Sequence, residues 1–262
     1  MYEFRDLSSN DSLNDNLPAE AMAFQRYGQF DYLEDLIPGY RTLQVTGREL
    51  TAYKLTEETP SGMDGSIVTN QVWPSRDIKI KYLLNSDTPY DFRQKYNKLM
   101  YFLSNQTLTF NFKDEADYFF YGGLSDVDTP EGGQSEVVSD FTLHCPSPWK
   151  FSDVKSLTVS DGQTINDHYL IYPVVPESIS FTSTKANFQF QNVTSEQTFG
   201  LNTAHTNVVL APNTGEVSAN GQLILNDIVQ FSELEQLKIK NGDQIKITNG
   251  SSAVIQYRRW LL

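Results

Sequence analysis

From residue 153 onward the chain never sustains a helical stripe. Short apolar alternations recur instead: Ile179 with Phe181, Phe188 with Phe190, Val208 with Leu210, Leu223 with Leu225, Ile245 with Ile247, and Val254 with Ile255 or Tyr257. Side chains alternate across a strand with period two, so each pair places its members on one face. Between them stand turn formers at Asp161-Gly162, Asn202-Thr203, Asn213-Thr214-Gly215, Asn220-Gly221 and Asn241-Gly242. Turns at this spacing predict a β-sandwich. Upstream, His144-Cys145-Pro146-Ser147-Pro148-Trp149-Lys150 holds two prolines that suppress helix and favour an extended connector. With 262 residues to divide at roughly 150 per domain, the boundary is expected here, giving domains 1–148 and 149–262.

The first domain has a different texture. Residues 1–40 read as short strands and loops without helix. Thr42 to Thr46 alternates, with Leu43 and Val45 on one face, and Gly47-Arg48 follows as a turn. Residues 50–55 continue with Leu50, Ala52 and Tyr53 turned inward, and the Glu57-Glu58-Thr59-Pro60-Ser61-Gly62-Met63-Asp64-Gly65 stretch breaks regular structure. In residues 77–84, Ile78, Ile80 and Tyr82 share a face while Lys79 and Lys81 point away. One helix is predicted over 89–103: Thr88 caps it, Pro89 suits its first position, and Asp91 favours its positive end. Phe92, Tyr96, Leu99 and Leu103 form its apolar stripe. Strands follow at 107–112, 118–124 and 137–143. The fold class is therefore mainly β with one α-helix.

An aromatic content of 13% marks a folded chain, and a net charge of −13 argues against a nucleic-acid-binding surface built on clustered Lys and Arg. No apolar run approaches a membrane span of roughly 18 residues, and the first residues lack a secretory signal. The chain is expected to be soluble and made in the cytoplasm, without a membrane partner. Cys145 is alone, so no intrachain disulfide or cysteine metal site forms. Its place beside Pro146 reads as buried filler.

Chemistry is hard to find. His144, His168 and His205 have no metal-ligand spacing, and no nucleophile elbow accompanies them. Asp126, Asp128 and Glu131 offer oxygens to a calcium ion but not the spacing of a calcium loop. Gly122-Gly123 and Gly132-Gly133 lack the Lys-Ser/Thr of a phosphate loop. Tyr257, Arg259 and Leu261 alternate as in a terminal strand, a reading preferred to a basic-aromatic polyanion patch. No enzyme, cofactor or metal is expected.

Several segments then combine in order. Leu17-Pro18-Ala19-Glu20-Ala21-Met22, Ile37-Pro38-Gly39-Tyr40-Arg41-Thr42-Leu43-Gln44-Val45-Thr46-Gly47-Arg48-Glu49-Leu50, Arg76-Asp77-Ile78-Lys79-Ile80-Lys81-Tyr82, the helical Phe92 to Leu99, Tyr118-Phe119-Phe120-Tyr121-Gly122 and Phe141-Thr142-Leu143-His144-Cys145-Pro146-Ser147-Pro148 resemble the distal tail proteins of siphophages infecting Gram-positive bacteria. The ending, with Asn241-Gly242-Asp243 and Tyr257-Arg258-Arg259-Trp260-Leu261, does so too. The likeness is dense over residues 1–150 and thin in the second domain until its last segment.

The resemblance implies an N-terminal ring-forming domain of β-sheets with one helix and an extended hairpin, and a C-terminal galectin-like β-sandwich. It further implies a homohexameric baseplate hub in the virion, at the distal end of the phage tail. Its partners would be the major tail tube protein, the tail-tip protein and a receptor-binding or baseplate protein. Residues 57–73 are the candidate for the arm that reaches a neighbour. Tyr40, Arg41, Arg48, Glu49, Met63, Val72, Trp73 and Pro74 are the candidate interface residues, against the reading that each completes its own subunit. The competing function is a lectin-like module whose second domain stacks aromatic side chains on host cell-wall saccharide.

Overall fold

The strand at 77–84 is the spine of the first sheet. In the computed structural model, which describes residues 17–128, 135–230 and 232–262, the elements run β1 (Met22–Arg26), β2 (Gln29–Tyr32), α1 (Leu33–Leu36), β3 (Tyr40–Thr46), β4 (Lys54–Glu58), β5 (Ile67–Val72), β6 (Arg76–Asn85), α2 (Pro89–Leu103), β7 (Leu108–Phe112), β8 (Tyr118–Val127) and β9 (Glu136–Cys145). The main sheet is ordered β2-β1-β7-β8-β9-β6-β3, with antiparallel pairing. Along β6 the even-numbered Ile78, Ile80, Tyr82 and Leu84 are buried, while Lys79 and Lys81 are exposed.

Helix α2 starts as its chemistry dictates: Thr88 Oγ1 accepts the Asp91 N–H at 3.1 Å. Phe92, Leu99, Phe102 and Leu103 are buried, with Tyr96 packed against the same core. Phe102, absent from the predicted stripe, meets Phe24 of β1 at 5.3 Å between ring centroids. Phe110, Phe112, Phe120 and Phe141 complete the cluster. Each such ring removed from water contributes on the order of 2 kcal/mol or more.

Four local expectations are corrected. One helical turn, α1, interrupts residues 17–40. Leu43 does not share a face with Val45, because a β-bulge shifts the β3–β6 register between Thr42 and Gln44 and turns Leu43 outward while Thr42 and Val45 go in. Leu50, Ala52 and Tyr53 are exposed, since the chain leaves the sheet at Gly47 and residues 48–53 have no strand partner among the described residues. Regular structure resumes at β4 and β5, which pair with each other as a separate hairpin spanning the stretch read as a break.

Gly47 makes the departure possible. Its φ of 92° lies in the left-handed region, and a Cβ there would stand 2.0 Å from the Asp77 carbonyl oxygen.

The chain divides into two compact units, Met1–Lys150 with Leu262, and Phe151–Leu261. The second contains, after β10 (Lys150–Ser152), the strands β11 (Lys155–Val159), β12 (Ser178–Phe181), β13 (Phe188–Asn192), β14 (Gln197–Leu201), β15 (Val208–Ala211), β16 (Glu216–Ala219), β17 (Gln222–Leu223), β18 (Ile245–Thr248), β19 (Ala253–Tyr257) and β20 (Trp260–Leu261). One sheet is ordered β11-β19-β12-β15-β16-β17 and the other β14-β13-β18. Their inner faces meet where Phe181 stacks on Phe188 at 4.2 Å, in a core with Ile179, Phe190, Val208, Leu210, Ile245 and Ile255. This is the two-layer β architecture the alternation predicts.

Three inward assignments in this unit do not hold. Leu223 lies exposed on the two-residue edge strand β17 and Leu225 on a 3-10 turn, while Ile224 between them packs on the core. Val254 is only half-buried; Ala253, Ile255 and Tyr257 take the inward positions of β19. The terminal strand is also broken at Arg258-Arg259, where Arg259 turns to Asp167. Among the described residues no helix is long and apolar enough to cross a membrane.

Candidate functional site

The β4–β5 hairpin is the segment whose structure its own unit does not account for. Every residue of both strands is exposed. The two strands pair antiparallel, Lys54 opposite Val72 and Leu55 opposite Gln71, with a bulge after Thr56. Thr69 Oγ1 donates to the Thr56 carbonyl at 3.1 Å beside that bulge, and Ser66 Oγ donates to Glu57 Oε2 at 2.7 Å near the tip. At the base, Tyr53 and Trp73 stack with centroids 3.7 Å apart and planes at 28°.

Opposed residues in an antiparallel pair share a face. Val72 and Ile67 therefore stand with Lys54 and Glu58 on one side, while Leu55 and Val68 stand with Gln71 and Glu57 on the other. All four aliphatic side chains are exposed. A two-stranded hairpin in water is marginal unless a further strand or a packed layer covers it. Here, among the described residues of its own unit, nothing buries either face of the hairpin.

The candidate interface residues fall into three places. Met63, Val72, Trp73 and Pro74 belong to the hairpin: Met63 at the tip and Val72 on β5 are exposed, and Trp73 and Pro74 at the base are half-buried. Tyr53, Leu55, Ile67 and Val68 join them; Ile67 and Val68 fall inside the candidate arm of residues 57–73, but none of the four is among the candidate interface residues. The signal available was two β-prone runs flanking the Pro60 to Gly65 turn formers. Tyr40 is inside the first core, stacked on Tyr82 at 5.4 Å, and burial, with Glu34 nearby, pushes its hydroxyl pKa well above the usual tyrosine value. Arg41 beside it on β3 is half-buried.

Arg48 and Glu49 lie at the turn after β3. Arg48 binds both oxygens of Asp114, at 2.8 and 2.9 Å, and reaches Glu20 Oε1 at 3.0 Å, with its guanidinium 4.4 Å over the Phe112 ring. Burial opposes its charge, but the Asp114 and Glu20 hydrogen bonds outweigh it and hold its pKa above the usual arginine value. These contacts close the subunit on itself. Glu49 is exposed and accepts the Gly47 N–H at 2.6 Å. Together with Glu20, Val45, Asp114 and Glu115, the pair lines a hollow of about 390 Å³.

Around the three histidines, the titratable groups among the described residues form no catalytic relay. His205 receives both Thr203 Oγ1, at 2.9 Å, and Asp227 Oδ2, at 2.8 Å, on the same Nε2. A relay needs nucleophile and acid on opposite ring nitrogens. His144 Nδ1 meets Asp77 Oδ1 at 2.6 Å on the surface, and His168 stacks on Tyr169 at 3.8 Å. Cys145 is buried, and burial pushes its thiol up to about 12, so it carries no thiolate at neutral pH. Among the described residues no group of three His, Cys, Asp or Glu is placed to hold a metal ion. The calcium candidate rests partly on Glu131, outside the described residues; Asp126 ends in β8 and Asp128 follows it.

No family model matches the chain. It is 24% identical over 233 residues to the distal tail protein of Bacillus phage SPP1, covering 84% of this chain and 91% of that protein. The crystal structure of SPP1 Dit, described as a paradigm of the hub adsorption apparatus in phages infecting Gram-positive bacteria, superposes with a TM-score of 0.73. That superposition covers 91% of this chain and 98% of the other at 20% identity. The activated baseplate of phage P2 with calcium is matched over 92% of this chain and 97% of that one, at 11% identity and a TM-score of 0.48. In aligned sequence the chain is similar to the SPP1 distal tail protein and in fold to its crystal structure, so the resemblance read from the residues is borne out as a likeness.

Proposed function

We infer that this chain is a structural, non-enzymatic baseplate hub in the phage virion, at the distal end of the tail. The likeness to the SPP1 distal tail protein supports the role, and the hairpin supports the way it is carried out. The finer reading is a homohexameric ring formed by residues 1–148, with residues 149–262 as a galectin-like sandwich that holds receptor-binding components. Tail tube protein docks on one side of the ring and the tail-tip protein on the other.

The single observation that carries ring assembly is the ordered hairpin with Leu55, Ile67, Val68 and Val72 exposed on both faces. Exposed aliphatics on a marginal element are stabilised when a neighbour covers them. A head-to-tail ring uses two different, complementary surfaces on each copy, and an obligate contact of this kind buries on the order of 2,000 Å² or more.

Mass photometry of the purified full-length chain, with negative-stain imaging, tests the reading. A six-fold ring is expected, alone or with tail tube and tail-tip proteins added. A chain that stays monomeric at every concentration and with both partners present would end it.

A further inference from the structure

The free edge of the main sheet is closed by carboxylates. Among the described residues strand β3 ends the sheet, with β6 as its one strand neighbour in the strand order. An antiparallel edge strand turns alternate N–H groups away from its neighbour, and such a row of donors is a template for another strand. On β3 those donors are taken. Tyr40 N–H donates to the Ile37 carbonyl at 2.9 Å. Thr42 N–H donates to Glu34 Oε1 at 2.9 Å and Val45 N–H to Glu20 Oε2 at 3.0 Å. Gly47 N–H, just past the strand, donates to Glu49 Oε2 at 2.6 Å.

The three glutamates come from three different segments: α1, the residues before β1, and the loop after β3. The β3 bulge sets the spacing, because the extra residue Leu43 makes the outward donors fall at 42 and 45. Each bond is charge-assisted, and each places a negative side chain where an incoming strand would lie. For Glu49, hydrogen bonds from its own backbone and from Gly47 hold the carboxyl below the usual carboxylate range, so it stays an acceptor at neutral pH.

We propose that Glu20, Glu34 and Glu49 act as a guard that keeps a second copy of this chain from adding a strand to the β3 edge. Association between copies is thereby directed to other surfaces. The inference stands apart from the ring reading, since the guard operates in a lone subunit.

Residue-resolved amide exchange on the full-length protein tests it. The Thr42, Val45 and Gly47 amides are expected to be protected although no strand covers them. Each is expected to exchange roughly tenfold faster or more when its own glutamate is changed to Ala, the factor a lost hydrogen bond to a charged acceptor produces. Glu→Gln, which keeps an acceptor oxygen, preserves protection at the same site. The triple variant E20A/E34A/E49A should gain a new self-associated species in sedimentation velocity that the triple Gln variant lacks. Wild-type amides that exchange as free ones, or protection that survives Glu→Ala, overturn the proposal, as does a folded triple Ala variant that associates no differently from the parent. Should the triple Ala variant fail to fold, the single-site exchange rates decide.

Discussion

Arg259 holds Asp167 in a fork, Nε to Oδ2 at 2.9 Å and Nη2 to Oδ1 at 2.8 Å, while the Tyr257 hydroxyl donates to Oδ2 at 2.6 Å. Burial alone would raise the Asp167 pKa; the bonds from Arg259 and Tyr257 outweigh it and hold the carboxyl below its usual value. A folded-state pKa lying below the unfolded value of about 3.9 contributes stability that is present above that value and lost as pH falls through the folded pKa. Asp167→Asn is therefore expected to destabilise the protein by about 2 kcal/mol at pH 7, in the range for hydrogen bonds to charged groups. It should also flatten the acid limb of stability against pH. Urea melts from pH 2 to 7 check both, and equal acid limbs for variant and parent would refute the assignment.

Gly47→Ala is expected to cost at least about 2 kcal/mol, because left-handed backbone strain adds to a collision with the Asp77 carbonyl. Gly62 is the control: its φ is 85° but nothing lies within 4 Å of an added Cβ. Gly62→Ala should cost roughly 1–2 kcal/mol, the left-handed term alone, and clearly less than Gly47→Ala, where the collision is added. Comparable melting shifts for the two variants would contradict the role given to the close approach at Gly47.

On the hairpin, stability and assembly should separate. L55S with V68S removes exposed aliphatics from one face and touches neither core, so the melting temperature of the subunit should move by no more than about 2 °C. Ring formation should weaken strongly in mass photometry. Tyr53→Ala, which removes the stack on Trp73, should speed amide exchange across residues 54–72; aromatic pairs contribute about 0.5–1.5 kcal/mol. Unchanged assembly in the double variant would take the hairpin out of the interface.

The thiol of Cys145 should be inert in the folded chain. With its pKa pushed up to about 12 and its side chain buried, reaction with a disulfide reagent at pH 8 should proceed only as fast as the protein opens. A rapid stoichiometric reaction in native buffer would show the site to be accessible.

How much of this was legible beforehand depended on whether a local pattern was decided locally. Helix α2 was readable to its ends because Thr88 and Pro89 specify the start and the apolar stripe fixes the buried face. Strand β6 was readable because alternation survives over its whole length. Leu43 was misread because a bulge is a property of the β3–β6 pairing, not of either strand. Leu50 was misread because burial requires a partner, and among the described residues no strand stands beside residues 48–53. The hairpin's position was legible only through the resemblance, as an arm over residues 57–73, and its strands were not; they are exposed throughout, and the in-out contrast on which the reading of strands relies is absent there. Tyr40 and Arg48 show the converse limit, since turn-adjacent polar and aromatic residues can be committed inward by distant partners, here Tyr82 and Asp114.

The split of Ile67 and Val72 to one side of the hairpin, and Leu55 and Val68 to the other, sets a condition on any partner arrangement. A partner lying flat against one flank would leave the opposite flank wet. Both flanks become dry when the projection is seated between two surfaces at once, so a partner must offer a cleft rather than a flat face.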